Sequence, residues 1–306
     1  MALDKKAKFA KFLGSYRNPL QGFASLLTNI HIGNFLKGDI YKGKAKSMCV
    51  PGLNCYSCPG ATGSCPIGAF QATVGSSKFS FAYYVTGILI LFGVLLGRFI
   101  CGFLCPFGLF QDLLYKIPTK KFSTKKLGSL KYLKYLILAL MVIILPIFIT
   151  NELGMSNPFF CKYLCPQGAL EGAIPLSFVN PSVRNALGKL FTWKFILLII
   201  TIISSIFTYR PFCKFICPLG AFYALMNKVS FLQMKVDFGS CIGCNRCYHV
   251  CKMDVDVRKS PNHAECIRCG LCAKCCPTGA ISYKYGFGES LEKKMPSQEI
   301  LKSVKE

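Results

Sequence analysis

The sequence predicts an α-helical membrane protein of about four transmembrane helices that carries a small C-terminal α+β domain. Three observations point there: long uncharged apolar runs, nineteen cysteines in tight regular groups, and a basic balance beside the apolar runs. Of the 306 residues 52% are hydrophobic and 16% charged, and mean hydropathy is +0.42. A chain of this length cannot build a core large enough to hide so much apolar surface, so lipid is the expected solvent.

The expected organisation is a basic N-terminus with a weak first membrane helix (1–36), a membrane domain (37–230), a C-terminal domain (231–285) and a polar tail (286–306). Residues 79–100, 133–150 and 191–208 each approach the roughly 20 apolar residues that cross a bilayer. Residues 20–36 are weaker, because Gln21, Asn29, His31 and Asn34 interrupt them. Spanning is preferred there over an amphipathic position in the interface. No secretory leader is evident at the basic start.

Net charge is +24, with Lys and Arg dispersed near apolar segments. That pattern suits an anionic leaflet better than nucleic acid, which is not expected as a partner. Between the first and second strong runs lie Lys116, Lys120, Lys121, Lys125, Lys126, Lys131 and Lys134 against a single Asp112, so that loop is placed in the cytoplasm. The sparsely charged loop 151–190 then faces outward, and the C-terminal domain returns to the cytoplasm. Lys37, Lys42, Lys44 and Lys46 fit poorly in a segment that this scheme puts outside.

The cysteines recur in a repeated phrase, C-P-x-G, at Cys65, Cys105, Cys165, Cys217 and Cys276. Cys101, Cys161 and Cys213 lie four residues before three of these, giving C-x3-C-P units. Proline after cysteine suits the first turn of a helix, where its missing N–H costs nothing. Each unit reads as a cysteine-bearing turn that opens a short helix.

The densest pattern is C-terminal. Cys241, Cys244, Cys247 and Cys251 are followed by Cys266, Cys269, Cys272 and Cys276 in the same C-x2-C-x2-C-x3-C spacing. Tandem runs of this kind are the signature of a two-cluster bacterial ferredoxin, in which the last thiolate of each run serves the other cluster. The crossover assigns Cys241, Cys244, Cys247 and Cys276 to one [4Fe–4S] cluster and Cys266, Cys269, Cys272 and Cys251 to the second. Zinc is the competing ligand for C-x2-C pairs, but eight cysteines at doubled spacing favour iron–sulfur. Cys275 is left as a buried thiol.

Topology sorts the remaining ten cysteines. Cys101, Cys105, Cys213 and Cys217 follow the first and third strong runs and share the inner side, enough for another cluster. Cys49, Cys55, Cys58, Cys65, Cys161 and Cys165 collect outside; Cys55 or Cys58 with Cys65, Cys161 and Cys165 are the candidates there. Disulfides or dithiols are the alternative for the outer set. Arg98 either stabilises a reduced cluster or snorkels to headgroups, and His31, Glu152 and Glu171 are weak candidates for cofactor contact or proton relay.

Through the C-x3-C-P units and tandem cysteine runs, residues 49–281 resemble the membrane-bound polyferredoxin family. That family includes the quinol-oxidising membrane subunit of periplasmic nitrate reductase, the nitrous-oxide-reductase regulator and a cytochrome oxidase accessory protein. The resemblance implies a multi-pass protein of the plasma (inner) membrane with a cytoplasmic ferredoxin domain. The expected function is electron transfer between two C-terminal [4Fe–4S] clusters and one or two further clusters of the membrane domain, with a quinone as a candidate acceptor or donor. Redox partner proteins are expected at its faces. The alternative is a metal-reducing or redox-sensing accessory protein for assembly of another enzyme.

Overall fold

The computed structural model describes residues 5–75, 83–150 and 156–286. Its elements are almost all helical, with one antiparallel pair of strands near the C-terminus.

Helix α1 (Lys5–Thr28) buries Ala7, Ala10, Gly14, Arg17 and Gln21, a spacing of three and four that lays one face on the protein. Its opposite face exposes Phe12, Phe23, Leu26 and Leu27. The helix packs so closely on the C-terminal lobe that a side chain at Gly14 would collide with the Gly270 carbonyl. Phe9 meets the Tyr283 ring edge-on.

Among the described residues two helices are long and apolar enough to cross a membrane. They are α2 (Ser129–Phe148, mean hydropathy 2.0) and α3 (Lys189–Phe207, mean hydropathy 2.2). Only 28% and 17% of their apolar windows are buried, unlike the core helix of a soluble protein. The turns of α2 widen to a π-type pattern over Leu138–Ile144.

The expectation of about four transmembrane helices is therefore corrected to two among the described residues. Within 79–100 the described helix is Tyr83–Leu96, whose 14 residues rise only about 21 Å against a hydrocarbon core of about 30 Å. It stops at Gly97, whose φ of +54° is readily adopted by glycine alone, and the chain then turns inward at Arg98. Residues 79–82 lie outside the described set. Residues 20–36 do not form one helix either: α1 ends at Thr28, and after a turn the short helix Asn34–Lys37 follows. Apolar content suggested a span there, but the one residue of that stretch that α1 buries against protein is the polar Gln21.

The C-terminal lobe opens and closes with strands β1 (Leu232–Val236) and β2 (Ile281–Tyr285), paired antiparallel with Met234 opposite Tyr283. Their inward side chains pack with Cys247, Val257, Ala273 and Ala10 of α1. A second, larger core runs from Cys65 and Cys165 through Cys101, Cys105 and Cys217 to Met253, Val255 and Ile267. The tail beyond residue 286 lies outside the described residues, as does Glu152.

Candidate iron–sulfur sites

All nineteen cysteines are free of disulfides, and sixteen of them line four cavities.

 Cys247 lines two of these cavities, and Cys49, Cys58 and Cys275 line none of the four.

In the C-terminal lobe, Cys241, Cys244, Cys247 and Cys276 share one cavity, and Cys251, Cys266, Cys269 and Cys272 share the next. These are the two crossover groups that the spacing anticipates. Cys275 turns away, its thiol donating to the Cys272 carbonyl at 3.3 Å.

Cys101, Cys105, Cys213 and Cys217 surround a third, small cavity, hereafter the inner site. Cys101 lies on the turn Phe99–Phe103 and Cys213 on the turn Pro211–Phe215. Cys105 and Cys217 each sit at the N-cap of a helix whose first residue is proline, Pro106–Tyr115 and Pro218–Met226. The helix N-terminus directs amide dipoles at sulfur, and Gly220 N–H donates to Cys217 Sγ at 3.3 Å. Gln111 Nε2 donates to Cys213 Sγ at 3.1 Å.

Two arginines three residues ahead of the first cysteines cross over this site. Arg98 reaches the Cys213 carbonyl at 3.3 Å, and Arg210 reaches the Cys101 carbonyl. Arg98 packs over Gly220 and Arg210 over Gly108, each the glycine of the other unit. Arg98 pairs with Glu265, which also holds Lys134; Arg210 pairs with Asp112, which also holds Arg17. Burial opposes the charge on Glu265, but Arg98 and Lys134 overcome it and hold the carboxyl at about 2. Arg210 and Arg17 likewise hold Asp112 below its ordinary value against the effect of burial. Arg98 is thus a fully buried ion-pair partner and does not snorkel. The spacing R-x2-C-x3-C-P-x-G, present at Arg98 and again at Arg210, was the available signal for this pair.

The fourth cavity, the outer site, is lined by Cys55, Cys65, Cys161 and Cys165 and has a volume of about 720 Å³, against about 10–30 Å³ for the other three. Of the alternatives Cys55 and Cys58, Cys55 is the one brought here. The Cys58 thiol instead approaches Asn29 Oδ1 at 3.6 Å. Gln71 Nε2 donates to Cys161 Sγ at 3.3 Å, and Lys194 donates to the Cys161 carbonyl at 3.2 Å. Glu171 accepts from the Cys55 amide at 3.1 Å, and its burial pushes the carboxyl up to about 7. Gln167 lies close enough to Glu171 to act on it electrostatically, yet both its polar atoms lack a hydrogen bond of normal geometry.

The donor set fits clusters better than single ions. Among the described residues no three His, Cys, Asp or Glu side chains converge on one metal position. Four cysteines held around a cavity suit a polynuclear core, to which each thiolate contributes a separate iron. Burial pushes Cys105 and Cys165 up to about 12 and Cys266 to about 11, so metal binding must displace the protons.

The sequence profile of a 4Fe–4S binding domain matches residues 81–125, 135–174 and 190–238, and each stretch holds one C-x3-C-P unit. An uncharacterized protein of Methanocaldococcus jannaschii is 31% identical over 203 residues, 65% of this chain and 77% of that relative. The chain belongs to the polyferredoxin-type 4Fe–4S proteins. Ferredoxin-type protein NapH of Haemophilus influenzae is 27% identical over 67% of this chain and 69% of its own length. Methylamine utilization ferredoxin-type protein MauN of Methylobacillus flagellatus is 27% identical, over 67% and 68% respectively. No solved structure matches the chain.

Proposed function

We propose that this polyferredoxin-type protein conducts electrons through part of a membrane's thickness, along a row of four clusters. The observation that carries this reading is that the cavities adjoin in series. Cys247 lines both cavities of the C-terminal lobe. Gly102, next to Cys101, lies against the carbonyl of Ile267, next to Cys266. Leu53 lines both the inner and the outer cavity. Helix α3 gives the row its direction: Lys194 near its start lines the outer site, and Arg210 just beyond its end braces the inner one.

The apolar faces of α2 and α3, with exposed Leu136, Leu140, Ile196 and Ile200, suit lipid. The lysine-rich loop lies at the inner end, where Phe122 N–H donates to the Phe207 carbonyl. That end, with the C-terminal lobe, is assigned to the cytoplasm of a plasma membrane. When bound, the clusters supply one-electron chemistry. The chain supplies cysteine ligation, N–H donors to sulfur and exclusion of water.

A second reading concerns the outer end alone. Its cavity is far larger than the other three, which leaves room for an electron acceptor or donor beside a cluster. A quinone fits the apolar lining; a metal ion delivered for another enzyme is the alternative cargo. Soluble redox proteins would exchange electrons at the C-terminal lobe.

Iron and acid-labile sulfide in anaerobically purified protein test the main reading, with EPR of the reduced form. About sixteen iron per chain supports four cubanes; about eight confines clusters to the C-terminal lobe and ends the conduit reading.

A further inference from the structure

We propose that Arg98 and Arg210 form a crossed clamp that sets the reduction potential of the inner cluster above that of the outer one. The inference rests on the reading that Cys101, Cys105, Cys213 and Cys217 bind a cluster. Its basis is charge, reach and the contrast between two otherwise similar sites.

Each arginine belongs to one half of the repeat and grips the other, Arg98 at the Cys213 carbonyl and Arg210 at the Cys101 carbonyl. Both guanidinium groups are fully buried. Nε of Arg98 has no hydrogen-bond partner among the described residues and remains available as a donor. Each arginine shares its acid with a second cation. Arg98 and Lys134 against Glu265 leave a net charge of one positive, as do Arg210 and Arg17 against Asp112. Together the two networks bring two positive charges to a site whose four thiolates and [4Fe–4S]2+ core carry two negative ones. Reduction adds one electron to the core and makes the assembly more negative, so surrounding positive charge favours the reduced form.

The outer site lacks this device. The residue three before Cys161 is Pro158, and no cysteine stands four before Cys65, where Ala61 is found. Lys194 and the buried Lys46 stand near the site against Glu171, a net of one positive charge where the inner site has two. Sequence repeats that are alike in ligands thus differ in their second layer, and the difference orders the two potentials.

The test is an EPR-monitored redox titration of the full-length protein, with the inner signal assigned as the one lost in Cys101→Ser. Arg98→Gln should shift the inner midpoint negative by at least a tenfold change in the reduction equilibrium, about 59 mV for one electron. The outer signal should stay in place. Asp112→Asn, which leaves Arg17 and Arg210 uncompensated, should shift the inner midpoint in the positive direction. A merely structural role would not produce shifts of opposite sign. If Arg98→Gln fails to accumulate, Asp112→Asn decides alone, and an unmoved or more negative midpoint overturns the clamp. Wild-type protein with about eight iron sinks the inner-cluster reading itself; about sixteen iron with unmoved midpoints sinks only the clamp.

Discussion

Replacing Glu265 by glutamine removes the one carboxylate that two buried cations share. Arg98 and Lys134 are fully buried, and Glu265 is nearly so. The carboxyl is drawn from an ordinary 4.5 to about 2. At 1.36 kcal/mol for each factor of ten, that displacement corresponds to about 3 kcal/mol of stabilisation. The direct expectation for breaking one partner out of a buried ion pair is about 3–5 kcal/mol, so two routes agree on the scale. The folded-state pKa is depressed. The contribution of the carboxyl is therefore complete above about pH 4.5 and fades as pH falls toward about 2. Thermal unfolding of the detergent-solubilised, cluster-loaded protein should show Glu265→Gln melting about 6–12 °C below wild type, using the shift per kcal/mol typical of larger chains. Asp237→Asn, at an exposed carboxylate, is the control. If the two variants melt together, the buried network does not stabilise the fold and the account given of it is wrong.

Three further outcomes are expected. Joint replacement of Cys161 and Cys165 by serine should remove about four iron per chain and leave the C-terminal EPR signals intact; unchanged iron would return these residues to thiol or metal-handling chemistry. Gly168→Val places methyl groups where a Cβ already lies 2.9 Å from Lys194 Nζ and 3.7 Å from Cys55 Sγ, so iron should again fall by about four. Iron retained in full would show that the outer site has room to spare at that wall. Gly14→Val should cost about 1–3 kcal/mol by overpacking against the Gly270 carbonyl and speed proteolysis within α1; protection equal to wild type would count against the docking of α1 described above.

Much of the site was legible because cluster ligands are set by local spacing. Each crossover group read from the two C-terminal runs has its four members around one cavity, with Cys247 lining the second as well. The helices at 133–150 and 191–208 were legible because a long uncharged run has few other fates, and α2 and α3 start only a few residues earlier. Residues 79–100 misled because hydropathy does not register a break such as Gly97, and residues 20–36 because averaging over a window hides which face of α1 is buried. The ion networks were out of reach in another way. Arg98 meets a carboxylate 167 residues away, and Arg210 meets one 98 residues away, so no window contains both members. Cys55 and Cys58 were inseparable by spacing alone, since the choice depends on how the loop faces the Cys161 unit.

The seating of α1 has a consequence for biogenesis. This helix is translated before every surface it rests on, Asp112, Tyr209 and Gly270. Until Gly270 is made, the seat beneath Gly14 is incomplete, although the partners of Arg17 and Gln21 precede it in the chain. Docking of α1 then closes over Cys105, whose carbonyl accepts from Gln21 at 2.8 Å. A helix made before its seat can settle fully only once that seat exists, so the order of synthesis leaves an interval before the fold is shut.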